Sequence, residues 1–342
     1  MKRFFTIIAL SISLFSVAQE MPAQTEGESV LSYSLPKTEL KIQITAERLT
    51  QKPGQFYQYS ERYLATTDVI TTEKTFYRMK GITITPQTKA DPKRTFKIIP
   101  SKNSLASHIT VNDKGILCGI NVPVEQITDN TNPVAIETEK IETKKLLPLD
   151  EEYMMAGSEA KMAEGIAKQI YRIREGRVDM LAGEADSMPK DGESMKTMII
   201  QMDEQEKELT ELFTGKTTVE PVVQIISYSP DTVTNADIIF RFSSFNGISS
   251  KEDLSGAPYS ISIEYTPLNT IPAGKKTKGE LIYTIIPVTA KVKIEEGTKL
   301  IYEQEMDIPQ LGVLMPISTN TMDKKAGKMS VSPVSGRLLS IQ

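Results

Sequence analysis

Ionisable residues that could do chemistry gather once along this chain. Arg172, Arg174 and Arg177 are followed by Glu184, Asp186, Asp191 and Glu193. Carboxylates at such density can hold a hard cation. Two of them, held about 5 to 10 Å apart, can also cleave a glycosidic bond, one as acid and one as base or nucleophile. The spacing lacks the alternate-position pattern of a calcium loop. Glycosidase carboxylates, moreover, normally converge from strand ends in a cleft, not along one helix–helix loop. The plainer reading is a solvated turn in which Asp191 caps a helix and the acids sit where a helix N-terminus favours negative charge. The arginines can hold an anion or pair with Glu175 and Glu184, and pairing is expected. All seven residues therefore stand as interaction candidates. No residue is assigned as catalytic, cofactor-binding or metal-ligating.

Other nucleophiles and ligands are scarce. His108 is the only histidine and has no second histidine or cysteine near it, so it reads as a structural or surface residue. Cys118 is the only cysteine and sits in the apolar run Gly115–Ile120, where a small buried residue is expected. A single cysteine also rules out an intramolecular disulfide. No phosphate-binding Gly loop, zinc spacing or Gly-x-Ser-x-Gly elbow occurs, and no cofactor is implied.

The elements that must position the cluster are helices. Met155, Met162, Ala163, Ile166, Ala167, Ile170 and Ile173 recur at helical spacing, with Lys161, Lys168 and Arg172 on the other face. Fraying or a kink is expected between Gly176 and Gly183. A second helix is expected from about Gly192 to Phe213, ending at Gly215, with Met195, Met198, Ile199, Met202, Leu209 and Leu212 on its apolar stripe. Together they make a hairpin. Its many methionines form a pliable core or an adaptable contact surface.

Strands flank this hairpin on both sides. Leu40, Ile42 and Ile44 alternate with polar residues. Further strands are expected at 75–79, 81–85, 96–99, 109–111 and 115–122. A short helix at 55–64 should pack its aromatic stripe, Phe56, Tyr59 and Tyr63, on the sheet. After Gly215 the period-two runs at 219–228, 237–243, 259–265, 281–287, 290–295 and 299–306 suggest a β-sandwich. The fold class is mainly β with α: two antiparallel β domains joined by a central helical hairpin. The expected divisions are a signal peptide over 1–18, a flexible N-terminus over 19–36 with room for a first strand near Val30–Leu35, a β domain over 37–148, the hairpin over 149–215, and a sandwich-like domain over 216–342.

Lys2 and Arg3 precede the apolar run Phe4–Val17, and Ser16-Val17-Ala18 fits a signal-peptidase site. Without Lys2 and Arg3, 38 basic residues face 44 acidic ones, which is no footprint for nucleic acid. No run in the mature chain is long enough to span a bilayer.

The runs Ile170–Arg177, Leu181–Glu184, Pro189–Gly192 and Leu212–Gly215 occur in order, followed by Arg241-Phe242-Ser243, Gly247, Leu254–Pro258 and Gly312–Pro316. In these the chain resembles a family of secreted proteins from Bacteroidetes-type bacteria named only as a domain of unknown function (domain-of-unknown-function 4831). The resemblance departs at Met315, where that family more usually has Leu. It implies export and a β-rich architecture around this helical centre, and it implies no activity.

The expected function is therefore a non-enzymatic binding or structural component of the periplasm or cell envelope. Its partner would be an envelope protein, a glycan or a second copy of the chain. The alternative is a carbohydrate-active hydrolase using a carboxylate pair of the loop.

Overall fold

A computed structural model describes residues 30–99, 105–127, 156–184, 191–269, 280–322 and 327–342. The signal peptide and the linker expected near 128–148 lie outside these residues. The described residues are mostly strand, and among them three sheets form, with all pairing inside the sheets antiparallel. The first has the order β2-β1-β5, from β1 (Leu31–Lys52), β2 (Lys74–Ile98) and β5 (Lys216–Tyr228). The second has the order β10-β9-β8-β6-β7, from β6 (Thr234–Ser243), β7 (Gly247–Ser249), β8 (Ala257–Glu264), β9 (Leu281–Glu296) and β10 (Lys299–Ser318). The third is β12-β11-β4-β3, from β3 (Ile109–Val111), β4 (Leu117–Ile120), β11 (Met329–Val331) and β12 (Leu338–Ile341).

Several turns fall where the residues demand them. Asn112 to Gly115 joins β3 to β4, with Gly115 at φ +74 and its amide donating to Asn112 O. Gly297, at φ +60, turns β9 into β10. Both are left-handed positions that glycine occupies without a Cβ clash.

The long strands differ from the expected short ones. β1 is a single strand of 22 residues: it takes in the first strand expected near Val30–Leu35 at the end of the flexible stretch and runs on without a break through the strand expected from Leu40. The three short strands expected between 75 and 99 are one strand, β2. β9 likewise runs through Pro287, and β10 extends from 299 to 318. Prolines interrupt the apolar pattern of each, because a strand proline withholds a ladder donor and normally marks an edge or bulge. Here Pro36, Pro92, Pro287 and Pro309 sit at or beside irregularities, whereas Pro86 and Pro316 keep regular register opposite Leu40 and Tyr283. The β1–β2 register slips between Ser34 and Pro36, opposite the β2 segment 91–94 that holds Pro92. The β9–β10 register slips between Ile308 and Val313, so that Pro309 to Gly312 oppose Pro287.

These bulges meet. Arg94 donates to three carbonyls of the β10 bulge: Pro309 O at 3.0 Å, Gln310 O at 2.9 Å and Gly312 O at 3.2 Å. Gln310 bonds back to β1, accepting from Thr38 N at 2.9 Å and donating to Thr38 O at 2.7 Å, as a strand neighbour would. The backbone groups freed by the bulges are thereby paired, as buried ones must be. Gly312 packs so closely here that a Cβ would lie 2.2 Å from Ile286 O. The result is a waist with one core on either side.

On one side, Leu40, Ile42, Ile44 and Ile84 of the first sheet bury against Phe240, Ile261, Val292, Ile294 and Ile308 of the second. On the other, Tyr33, Leu35 and Ile98 bury with Ile282, Ile285 and Ile317, and with Leu117, Ile120 and Met329 of the third sheet. Tyr33 accepts from Tyr283 N at 2.8 Å, and burial pushes its hydroxyl up to about 12. Cys118 is buried as expected, and burial pushes its thiol up. Each large aliphatic side chain fully buried in these cores contributes about 1.5–3 kcal/mol.

Both halves of the chain thus build both cores. The division at 215/216 is not where the sheets divide, because β5 pairs with β1 along residues 40–52.

The helical hairpin is present, with α2 (Glu159–Ala182) and α3 (Gly192–Thr214). α2 runs unbroken past Gly176, where the sequence suggested a kink, and stops at Gly183 in the left-handed conformation, φ +76. Phe56, a 3-10 turn (Tyr57–Tyr59) and α1 (Ser60–Leu64) carry the aromatic stripe, which packs on the hairpin and not on the sheet. Phe56 meets Phe213 with ring centroids 5.6 Å apart, amid Ala163, Ile166, Ile170 and Leu209.

Candidate functional site

The hairpin carries the residues singled out by the sequence. Arg174 and Arg177 pair, but across the helices. Arg174 Nε donates to Glu206 Oε1 at 2.5 Å. Arg177 donates to Asp203 and lies 2.7 Å from Glu206 Oε2. These replace the expected partners Glu175 and Glu184 with acids of the facing helix. The pairing is offset: Arg174 lies 8 residues from the end of α2 at Ala182, whereas Glu206 lies 14 residues from the start of α3 at Gly192, so counting outward from the loop does not pick out Asp203 and Glu206. The sequence therefore held no signal for these two acids.

Arg172 is exposed on α2. Glu184, Asp191 and Glu193 are all exposed at the hairpin's far end, and Asp186 lies outside the described residues. Asp191 is the N-cap of α3: its carboxylate accepts from Ser194 N and from Ser194 Oγ, both at 2.8 Å. The Ser194 amide holds the carboxyl below its usual range. Ser158 caps α2 in the same way through Lys161 N. Among the described residues no group of three or more His, Cys, Asp or Glu could hold a metal ion. His108 is exposed, and its Nδ1 lies 3.0 Å from Ser107 Oγ.

A different feature emerges at the hairpin's root, where no motif pointed. Lys74, Gln51 and Thr217 are neighbours in one row across β2, β1 and β5. The loop 65–73 and Thr214, the last residue of α3, stand beside this row and close a cleft of about 410 Å³. Asp68, Thr71 and Thr72 come from the loop. The loop is fastened to the helix by Ile70 N donating to Thr214 O at 2.8 Å. Gly215 makes the join possible. At φ +87 it is left-handed, and a Cβ there would lie 2.5 Å from Lys52 O and 2.8 Å from Ile70 Cβ. The run Ala65-Thr66-Thr67-Asp68-Val69-Ile70-Thr71-Thr72 is the only sequence trace of the cleft, and threonine richness alone does not distinguish a cleft from any exposed loop.

The exposed apolar side chains of the hairpin complete the picture. Tyr171, Val178 and Leu181 on α2 and Met198 and Ile200 on α3 stand in solvent, Leu181 at 64% exposure. No helix among the described residues is long and apolar enough to cross a membrane.

The profile of a family described as Domain of unknown function (DUF4831) matches residues 29–339. The chain belongs to that family. No curated protein and no solved structure matches it. The DUF4831 match takes in the first two sheets, the hairpin, the cleft and all of the third sheet except the end of β12.

Proposed function

We propose that this DUF4831 chain is an exported, non-enzymatic binding or structural component of the periplasm or cell envelope, with a sandwich-like β body that presents the helical hairpin to a partner. The supporting observation is the hairpin's construction. Its root is buried in the cluster of Phe56, Ile166, Ile170, Leu209 and Phe213, and towards its far end Met180 is the one buried apolar side chain of α2. Beyond that root it carries exposed Val178, Leu181, Met198 and Ile200 on helices tied by interhelical ion pairs. Apolar side chains on a pre-ordered surface lower the ordering cost of association. Methionine adds adaptability to such a surface. The charged candidates Arg174, Arg177 and Asp191 have their valences used within the hairpin, in keeping with a structural role.

Cell fractionation combined with photocrosslinking tests this. A photoreactive residue at Val178 or Met198 is expected to give discrete adducts in the envelope fraction of the native host, on a chain whose N-terminus is Gln19. The same residue at Thr83, on the outer face of the first sheet, is expected to give none. Retention of the full chain in the cytoplasm, or absence of adducts at both hairpin positions, overturns the proposal.

A further inference from the structure

We infer that the cleft at the hairpin's root is a binding site for a neutral, hydroxyl-rich ligand, a saccharide. The walls decide the class. Thr71, Thr72 and Thr217 supply hydroxyls, which both donate and accept, and Gln51 supplies an amide with the same double capacity; Thr214 also lines the cleft with its hydroxyl donating to Thr210 O at 3.2 Å, and Val69 and Ile70 add a small apolar edge. Sugar hydroxyls need this mixture. Lys74 and Asp68 add one ammonium and one carboxylate. Their opposite charges leave little net field across the cleft.

Other ligand classes fit worse. A phosphate or sulfate needs an excess of cations or a helix N-terminus, whereas here one lysine is offset by one aspartate and the helix end in the wall is the carbonyl end of α3. A metal ion needs several carboxylate, histidine or thiolate donors, and the wall has one carboxylate. An apolar ligand would leave the hydroxyls, amide and charges of the wall unpaired. The volume of about 410 Å³ lies within the usual 300–1,000 Å³ of small-molecule sites.

The site is also held in place before any ligand arrives. One wall is a cross-strand row, Lys74–Gln51–Thr217, with neighbouring strands about 4.8 Å apart. The other is the loop locked to α3 by the Ile70–Thr214 hydrogen bond and by the close approach of Gly215 to Lys52 and Ile70. Hydrogen-bonding groups fixed in this way need little ordering on binding.

This inference rests on the binding reading above but uses a different surface, so the two fail separately: hairpin adducts without saccharide binding would remove only the cleft. The test is isothermal titration of residues 19–342 with maltotriose, cellotriose and N-acetylchitotriose. Inorganic phosphate and calcium chloride serve as comparison probes. One neutral oligosaccharide is expected to bind at one site per chain. Gln51→Ala and Asp68→Ala are each expected to weaken it at least tenfold with thermal unfolding unchanged, while Thr83→Ala leaves it as it was. The inference is overturned if no oligosaccharide binds, if binding survives both cleft variants, or if phosphate or calcium binds instead with that same dependence on Gln51 and Asp68.

Discussion

Arg94 shows how much one side chain can settle in a β-protein. It spends its guanidinium on the carbonyls of Pro309, Gln310 and Gly312, and burial pulls its pKa down without removing its charge. Replacing it by methionine keeps the bulk and strands three acceptors; each costs roughly 1–3 kcal/mol when fully shielded, and less here because the Arg94 side chain is 20% exposed and water reaches part of the site. We expect Arg94→Met to destabilise the protein by about 2–4 kcal/mol in urea unfolding, and Arg94→Lys to recover only part, since a lysine lacks the fork geometry. Asp191 acts at the same scale and can be read through pH. Its folded pKa is lowered by the Ser194 amide, so its stabilisation is present above the unfolded value of about 4 and is lost as pH falls through the lower folded value. An Asp191→Asn variant keeps a capping oxygen without this acid dependence. Helicity at the start of α3, followed by NMR between pH 5 and pH 2, is expected to fall in the parent chain and to stay flatter in the variant. The N-cap role of Asp191 was legible in the sequence, because Asp before a helical apolar stripe has a local meaning. The role of Arg94 was not, since its partners lie more than two hundred residues away.

The hairpin is where local pattern and tertiary packing are easiest to separate. Its second helix could be bounded to within a residue from Asp191, Gly215 and the apolar stripe. Its partner in packing could not, because the aromatic spacing of Phe56, Tyr59 and Tyr63 says only that one face is buried, not against what. The long strands fail for the opposite reason. Pro36, Pro92, Pro287 and Pro309 break the local signal, and only the cross-chain stitching of their bulges lets each strand continue. Magnitudes rank what holds the hairpin down. The Arg174–Glu206 and Arg177–Asp203 pairs are partly exposed and each is worth under about 1 kcal/mol. Phe213 is fully buried against Phe56, and truncating it costs about 3–5 kcal/mol. Phe213→Ala is therefore expected to lower the unfolding midpoint sharply, while Arg177→Ala shifts it little. Equal effects would mean that the ion pairs, not the apolar root, anchor the helices.

At the scale of the whole molecule, strands from before and after the hairpin share two cores and are clamped at one waist. The elements themselves were largely visible in the sequence, but the two-domain expectation grouped strands by sequence proximity. Antiparallel pairing across the hairpin, β1 with β5, is a long-range contact that composition and periodicity cannot encode. A body built this way should open as one unit, with the distal hairpin fraying independently because few apolar contacts hold it. Native-state hydrogen exchange read by mass spectrometry tests this most directly. The account predicts one common, slowest opening for amides of β1, β2, β9 and β10, on both sides of the waist. It predicts much faster exchange for residues 177–182 and 192–202 than for the hairpin root at 163–170 and 209–213. Two separate slow openings, one for the strands before the hairpin and another for those after it, would contradict it.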